Sequence, residues 1–189
     1  RKLWAFADQK NVVVSFSPEA KLLSHWNLAT GEQIDSLDLE EMAQPDVYEC
    51  EFSETGAILW NKTTAKVWDT ATGKLLIHSE GASGMALSSD ETLFAVYFAE
   101  KDLVEIHDLA TNALRGTIEL SSKLISSPPL EFSPDGKWLF SYAVDAETSI
   151  WNTATAELWL RFEEQPKAYQ PNERWLALGR LISHHPEKG

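Results

Sequence analysis

Basic residues are scarce in this sequence: 16 Lys and Arg stand against 29 Asp and Glu among 189 residues, a formal net charge of −13. An acidic surface repels phosphate backbones and anionic headgroups. Nucleic acid and membrane are therefore not expected as partners, and a protein or peptide of basic character is. Cysteine is scarcer still. Cys50 stands alone, which rules out an internal disulfide and a thiolate zinc cluster. It points to a reducing, cytoplasmic setting with Cys50 as a small buried hydrophobe. No apolar run approaches the roughly 18 residues of a membrane-spanning helix, and no signal peptide is visible. Convincing helical periods with caps are also missing. Leu37–Ala43 comes nearest and reads as a loop.

What is present is aromatic and periodic. Eight Trp and eight Phe supply large buried area at low side-chain entropy, enough for one globular domain with a sizeable core. Four stretches nearly copy one another: Trp26-Asn27-Leu28-Ala29-Thr30-Gly31, Trp68-Asp69-Thr70-Ala71-Thr72-Gly73, His107-Asp108-Leu109-Ala110-Thr111-Asn112 and Trp151-Asn152-Thr153-Ala154-Thr155-Ala156. Their Thr residues, Thr30, Thr72, Thr111 and Thr155, are spaced by 42, 39 and 44 residues. Upstream, an aromatic or apolar residue opens a Ser-containing turn at Phe16, Phe52, Leu87, Phe132 and Tyr169, with steps of 36, 35, 45 and 37. Both series sit near the roughly 40–45-residue period of a four-stranded propeller blade.

Local chemistry agrees. Leu130–Ser133, Trp138–Tyr142 and Thr148–Trp151 are short runs rich in strand formers. Pro134-Asp135-Gly136 between the first two is a turn, with Pro fixing φ and Gly accepting a positive φ. Gly31 and Gly73 serve the turn after each repeated Thr, and Asn112 tolerates the same left-handed conformation. Ala156 does not, so a turn of another type is expected there.

On Trp68-Asp69 with Thr72-Gly73, Trp151-Asn152, Trp26-Asn27 and the Ser-Pro-Asp-Gly turn at 133–136, the chain resembles a divergent WD-repeat β-propeller over nearly its whole length. The resemblance implies an all-β propeller, or a propeller fragment, made of four-stranded antiparallel blades. Two departures mark the divergence: one copy alone has a literal Trp-Asp, and the Gly-His pair that often opens a repeat is absent. The buried His–Asp network usual in that family is therefore not expected.

The repeats fall at about 11–37, 48–78, 84–117 and 129–162, within one domain spanning 1–189. The first is short: Phe16 to Trp26 is 10 residues, against 16, 20 and 19 in the later copies. Either that blade lacks a strand, or residues are missing between Leu23 and Ser24. A partial fifth copy at 168–182 has two strands. The opening Leu3-Trp4-Ala5-Phe6 reads as the fourth strand of a preceding blade, so 1–8 can complete it. A closed ring of five blades and an arc of a longer ring both fit. The start on Arg1, in mid-pattern, reads as a piece of something larger.

Chemistry is hard to place on this framework. Gly81-Ala82-Ser83-Gly84 has Met85 where a nucleophile elbow needs its last Gly, and reads as a loop. His107 occupies a Trp position and reads as packing. His184-His185 read as a tail, lacking the spacing and further ligands of a metal site. The pairs Glu40-Glu41, Asp90-Glu91 and Glu163-Glu164 point to opposite faces of a strand and read as solvated surface. Asn61-Lys62-Thr63 matches a glycosylation sequon by chance. No catalytic residue, cofactor or metal is expected.

With the repeated residues committed to packing and turns, binding should lie in the loops that differ. The most distinctive are 38–48, with Met42 and Pro45; 98–103, with Lys101 and Asp102; and 143–148, with Asp145 and Glu147. Trp60 and Asn61 near a strand end add an aromatic anchor, against the plainer reading of Trp60 as core. The candidate partner-binding set is thus Trp60, Asn61, Lys101, Asp102, Asp145 and Glu147. Asp102 and Asp145 also suit turns on their own account. The function expected is a non-catalytic interaction scaffold or sensor module within a larger protein, with other domains of that chain as further partners. The alternative is an accessory or gating propeller of a hydrolase such as a peptidase. A propeller enzyme would show inward polar residues at equivalent blade positions, and the sequence offers none.

Overall fold

The computed structural model describes residues 3–7, 11–17, 19–39, 41–42, 50–53, 55–61, 64–125, 130–144 and 147–163. Among these residues there is no helix. Among the described residues, sixteen strands form four antiparallel four-stranded sheets, each in simple sequential order. The first blade is β1 (Leu3–Ala7), β2 (Val12–Ser17), β3 (Leu22–Asn27) and β4 (Gln33–Asp38). The second is β5 (Cys50–Phe52), β6 (Ile58–Asn61), β7 (Lys66–Asp69) and β8 (Leu75–His78). The third is β9 (Gly84–Leu87), β10 (Leu93–Phe98), β11 (Leu103–Asp108) and β12 (Leu114–Glu119). The fourth is β13 (Leu130–Phe132), β14 (Trp138–Tyr142), β15 (Glu147–Asn152) and β16 (Leu158–Glu163).

Register makes the four blades superimposable and corrects the phase of the first. Val13 pairs with Trp26, Leu59 with Trp68, Phe94 with His107 and Leu139 with Trp151. One strand further in, Phe6 faces Val13 as Phe52 faces Leu59, Leu87 faces Phe94 and Phe132 faces Leu139. The first-strand equivalent of Phe52 is therefore Phe6, not Phe16. Phe16-Ser17 lies at the far end of β2, where a turn follows whose Ser-Pro sequence mimics the Ser133-Pro134 turn at the opposite end of a blade. Consequently β1 hydrogen-bonds to β2 as the inner strand of a complete first blade. It is not the last strand of a preceding blade, no strand is missing around Leu23 and Ser24, and the expected completion by 1–8 depends on the 168–182 repeat. That repeat itself lies outside the described residues.

At each seam between consecutive described blades the facing sides of two sheets are buried together, which is why one twisted sheet alone would not suffice. Val14, Phe16 and Leu23 of the first blade pack with Leu59 and Trp68 of the second. Trp60, Val67 and Ile77 pack with Phe94 and Val96 of the third. Tyr97, Val104 and Ile106 pack with Leu139 and Trp151 of the fourth. The residue in the repeated Trp position thus faces the preceding blade. Trp68 and Trp151 are buried, at 0% and 6% exposure, and His107 stacks on Phe94 with ring centroids 4.9 Å apart. Trp26 is only half-buried, unlike its counterparts in the second and fourth blades. No described blade precedes the first, so its Trp lacks the cover the others have.

A second repeated feature precedes that position. Between the third and fourth strands of every blade the register shifts once, at His25/Trp26, Val67/Trp68, Ile106/His107 and Ile150/Trp151. A bulge bends its strand and sharpens the local twist, so the same four positions set the curvature of all four blades.

Candidate partner-binding face

The antiparallel order puts two kinds of loop at opposite ends of each blade. The turns joining first to second and third to fourth strands share one end. The turns joining second to third strands, with the blade-to-blade connections, share the other.

The first end is repetitive and chemically closed. In the third-to-fourth-strand turns the side-chain oxygen of Asn27, Asp69, Asp108 or Asn152 accepts from the backbone N–H of Thr30, Thr72, Thr111 or Thr155 at 2.7–3.2 Å. Each Thr hydroxyl then accepts from the N–H two residues on. The following residue takes a left-handed φ in all four: Gly31 72°, Gly73 71°, Asn112 56° and Ala156 57°. The backbone bond that closes the turn, Ala156 N–H to the Asn152 carbonyl at 2.8 Å, matches those of Gly31, Gly73 and Asn112. The fourth turn is therefore of the same type as the others, contrary to expectation, because the Asn152 and Thr155 bonds hold Ala156 in a conformation it disfavours. Thr70 and Thr153 tie these turns to the neighbouring hairpins, each donating its hydroxyl at 2.8 Å to the carbonyl of Gly56 or Gly136.

Carboxylates at this end are held as acceptors. The Arg115 guanidinium, 2.6 Å from Asp108, together with the Thr111 hydroxyl and N–H, lowers the Asp108 pKa to about 2. Burial works to raise Asp90 and Asp135. The Ser88, Thr92 and Ser133 hydroxyls with local backbone N–H groups outweigh it and leave both below the usual carboxylate range. Such groups are held by their own turns as hydrogen-bond acceptors.

The second end varies from blade to blade, and the described candidate residues gather there. Lys101 is exposed, with its ammonium 4.8 Å from the centroid of the Phe98 ring. Asp102 has a left-handed φ of 49°, as do Lys21 and Ala65 in the equivalent turns. Its carbonyl accepts from Leu120 N–H at 2.9 Å, while its Oδ1 is buried with no hydrogen-bond partner among the described residues. Glu147 opens β15 and meets Arg161 Nε at 3.1 Å. Asp145 lies outside the described residues.

Two candidates are buried. Trp60 is 8% exposed and belongs to the core between the second and third blades. Asn61 is 0% exposed, and its side-chain oxygen accepts from the Thr64 N–H and hydroxyl at 2.7 and 2.9 Å. The 38–48 loop is also less free than its composition suggests. Leu39 and Met42 are buried, and the Lys21 and Lys66 ammonium groups donate to the Met42 and Glu41 carbonyls at 2.8 and 3.0 Å. The lone Lys in the apolar β7 was the available signal for that anchor. The rest of the loop, Pro45 included, lies outside the described residues.

Among the described residues no group of three or more His, Cys, Asp or Glu side chains is arranged to hold a metal ion. No helix among them is long and apolar enough to cross a membrane.

Comparison with protein-family models gives no match, and comparison with curated proteins gives none either. Among solved structures, a chain in the crystal structure of a mitotic checkpoint complex is similar in fold, with a TM-score of 0.57 and 17% sequence identity. The match covers 86% of this chain and 51% of that one, so the present chain spans about half its length. At that identity the likeness concerns fold alone. With the four sheets and their register, it shows this chain to be an all-β propeller, or a propeller fragment, built of four-stranded antiparallel blades.

Proposed function

We propose that the chain is a non-catalytic recognition module, a divergent WD-repeat propeller acting within a larger cytoplasmic protein, that holds a protein or peptide partner at its variable end. One observation carries this reading. The residues repeated in phase are consumed by blade packing and by self-satisfied turns at one end, whereas Lys101, exposed and not repeated, lies beside Asp102 at the other. Lys101, Asp102, Asp145 and Glu147 form the contact set, with the buried Trp60 and Asn61 supporting the second blade beneath. The similar solved chain comes from a multi-protein assembly, which is in keeping with a scaffold role. The net charge of −13 favours a partner of basic character, whose association slows and weakens as salt rises.

The test is capture from the native source on wild-type protein and on the double variant Asp102→Ala/Asp145→Ala, with far-UV circular dichroism to verify the fold. Loss of one or more captured proteins by the folded variant is expected. An unchanged set would place the binding face elsewhere, and turnover of a substrate by purified protein alone would refute the non-catalytic reading.

A further inference from the structure

Described seams join two unlike faces. The face turned back toward the preceding blade carries the repeated Trp position, as in Trp151 with Leu139 and Ser141. The face turned forward carries aromatic and branched residues, as in Tyr97, Val104 and Ile106. The first blade has the backward face in the same detail. Trp26 Nε1 donates to Ser15 Oγ at 2.9 Å, matching Trp151 and Ser141. Val13 stands opposite Trp26 as Leu139 stands opposite Trp151, and Ser15 pairs with Ser24 as Ser141 pairs with Ser149. Leu28 N–H donates to the Asn11 carbonyl at 2.7 Å, the counterpart of Leu109 N–H to the Thr92 carbonyl at 2.9 Å.

Burial separates what register and bonding equate. Leu109 is 9% exposed and packs with Ile58, Trp60 and Val67 of the second blade, whereas Leu28 is 50% exposed. Thr70 and Thr153, at the same position in the other blades, are buried. Val13 is 9% exposed against 0% for Leu59, Phe94 and Leu139, and Ser24 is half-buried where Ser149 is buried. A large apolar side chain in water beside a half-buried Trp marks a surface built to be covered.

We propose that this face of the first blade is a blade-binding surface, occupied by the forward face of a further four-stranded blade supplied from outside residues 1–189. The occupant sets aromatic and branched residues against Leu28 and Trp26, as the second blade does against Leu109. The inference rests on the reading of this chain as part of a larger protein, and it continues the interface type of the described seams. The solved chain of similar fold is about twice as long, so the same architecture extends over more chain than this one holds. A second copy of the chain matches the surface less well. Its last described forward face, on the fourth blade, is already buried at Phe140, Tyr142 and Ile150. Two first blades packed together would set one Trp–Ser face against another.

The test is maleimide alkylation of Leu28→Cys, located by peptide mapping, in residues 1–189 and in the native-length polypeptide. Leu109→Cys is the covered reference, and the native Cys50 is buried. The Leu28→Cys thiol should react rapidly in 1–189 and on the order of tenfold or more slowly in the native-length polypeptide, as a buried thiol does. The Leu109→Cys thiol should react slowly in both. Equally rapid reaction of Leu28→Cys in both, or a native polypeptide that ends with these 189 residues, would overturn the proposal. Slow reaction within 1–189 would overturn it too: with concentration dependence the occupant is a second copy, and without it the cover comes from the chain itself. Because the variable end is not probed, a first face open in both polypeptides would leave recognition through Asp102 and Asp145 standing.

Discussion

A Cβ built on Gly116 in the third blade would stand 2.7 Å from the Cβ of Ala156 in the fourth. The glycine's missing side chain thus makes room for an alanine held at a φ of 57°. Between the first two blades the roles are reversed. There Gly73 occupies the turn, and a Cβ on it would stand 2.5 Å from the Asp38 carbonyl oxygen. At each of these two seams one of the facing positions gives up its side chain.

This arrangement predicts a coupled pair. Gly116→Ala should destabilise by about 1–3 kcal/mol, because a contact under 3 Å forces one backbone to shift. Ala156→Gly should stabilise slightly or be neutral, since relief of left-handed strain of roughly 1 kcal/mol offsets the greater freedom of glycine in the unfolded chain. The double variant should recover most of the Gly116→Ala loss. A double-mutant cycle by urea denaturation measures the coupling, and strictly additive effects would refute the contact.

Position in the arc should grade the tryptophans. Trp68→Ala removes a fully buried side chain between two blades and should cost about 3–5 kcal/mol. Trp26→Ala removes a half-buried one and should cost clearly less. Equal shifts in denaturation midpoint would show that the first blade is covered as well as the second.

Acid should reveal Asp108. Its folded pKa of about 2 lies below the ordinary carboxylate value. Its contribution to stability is therefore fully present above the unfolded-state pKa of about 3.9 and is lost as pH falls toward and through the folded value. Asn27 and Asn152 fill the equivalent position in two other blades, so Asp108→Asn should keep the turn while flattening that part of the profile. The measurement is denaturation midpoint between pH 5 and pH 2 for both proteins, and parallel profiles would contradict the assignment.

The period was legible because the features it rests on are side chains with unmistakable chemistry: Trp facing a neighbouring blade, and Thr with Asn or Asp closing a turn. The phase of the first blade was not, since Phe16-Ser17-Pro18 has the composition of one turn and the location of another. Only the pairing of Val13 with Trp26 separates them. Exposure at the site was equally hidden. Strand β6 is buried on both faces, so the alternation that distinguishes inside from outside in a half-exposed strand is absent. Asn61 therefore gave no sign of being enclosed, whereas core was already the plainer reading of Trp60. Ala156 shows a third limit, because side-chain bonds from Asn152 and Thr155 override the backbone preference of the residue they hold.

The Trp–Ser bonds should also differ in worth between blades. Trp151 Nε1 donates to Ser141 Oγ at 2.9 Å in a buried setting, and Trp26 Nε1 donates to Ser15 Oγ at 2.9 Å in a partly exposed one. Ser141→Ala strands a buried indole N–H, and a lost buried partner costs about 1–3 kcal/mol. Ser15→Ala leaves an N–H that water can reach at the half-buried Trp26, so its cost should stay below about 1 kcal/mol. Adding Trp151→Phe to Ser141→Ala should cost less than the same Trp→Phe change made in the wild type, because the stranded donor is then removed. Denaturant midpoints on the five proteins decide the matter. If Ser15→Ala proved as damaging as Ser141→Ala, the difference in burial between the first and fourth blades would not govern these bonds.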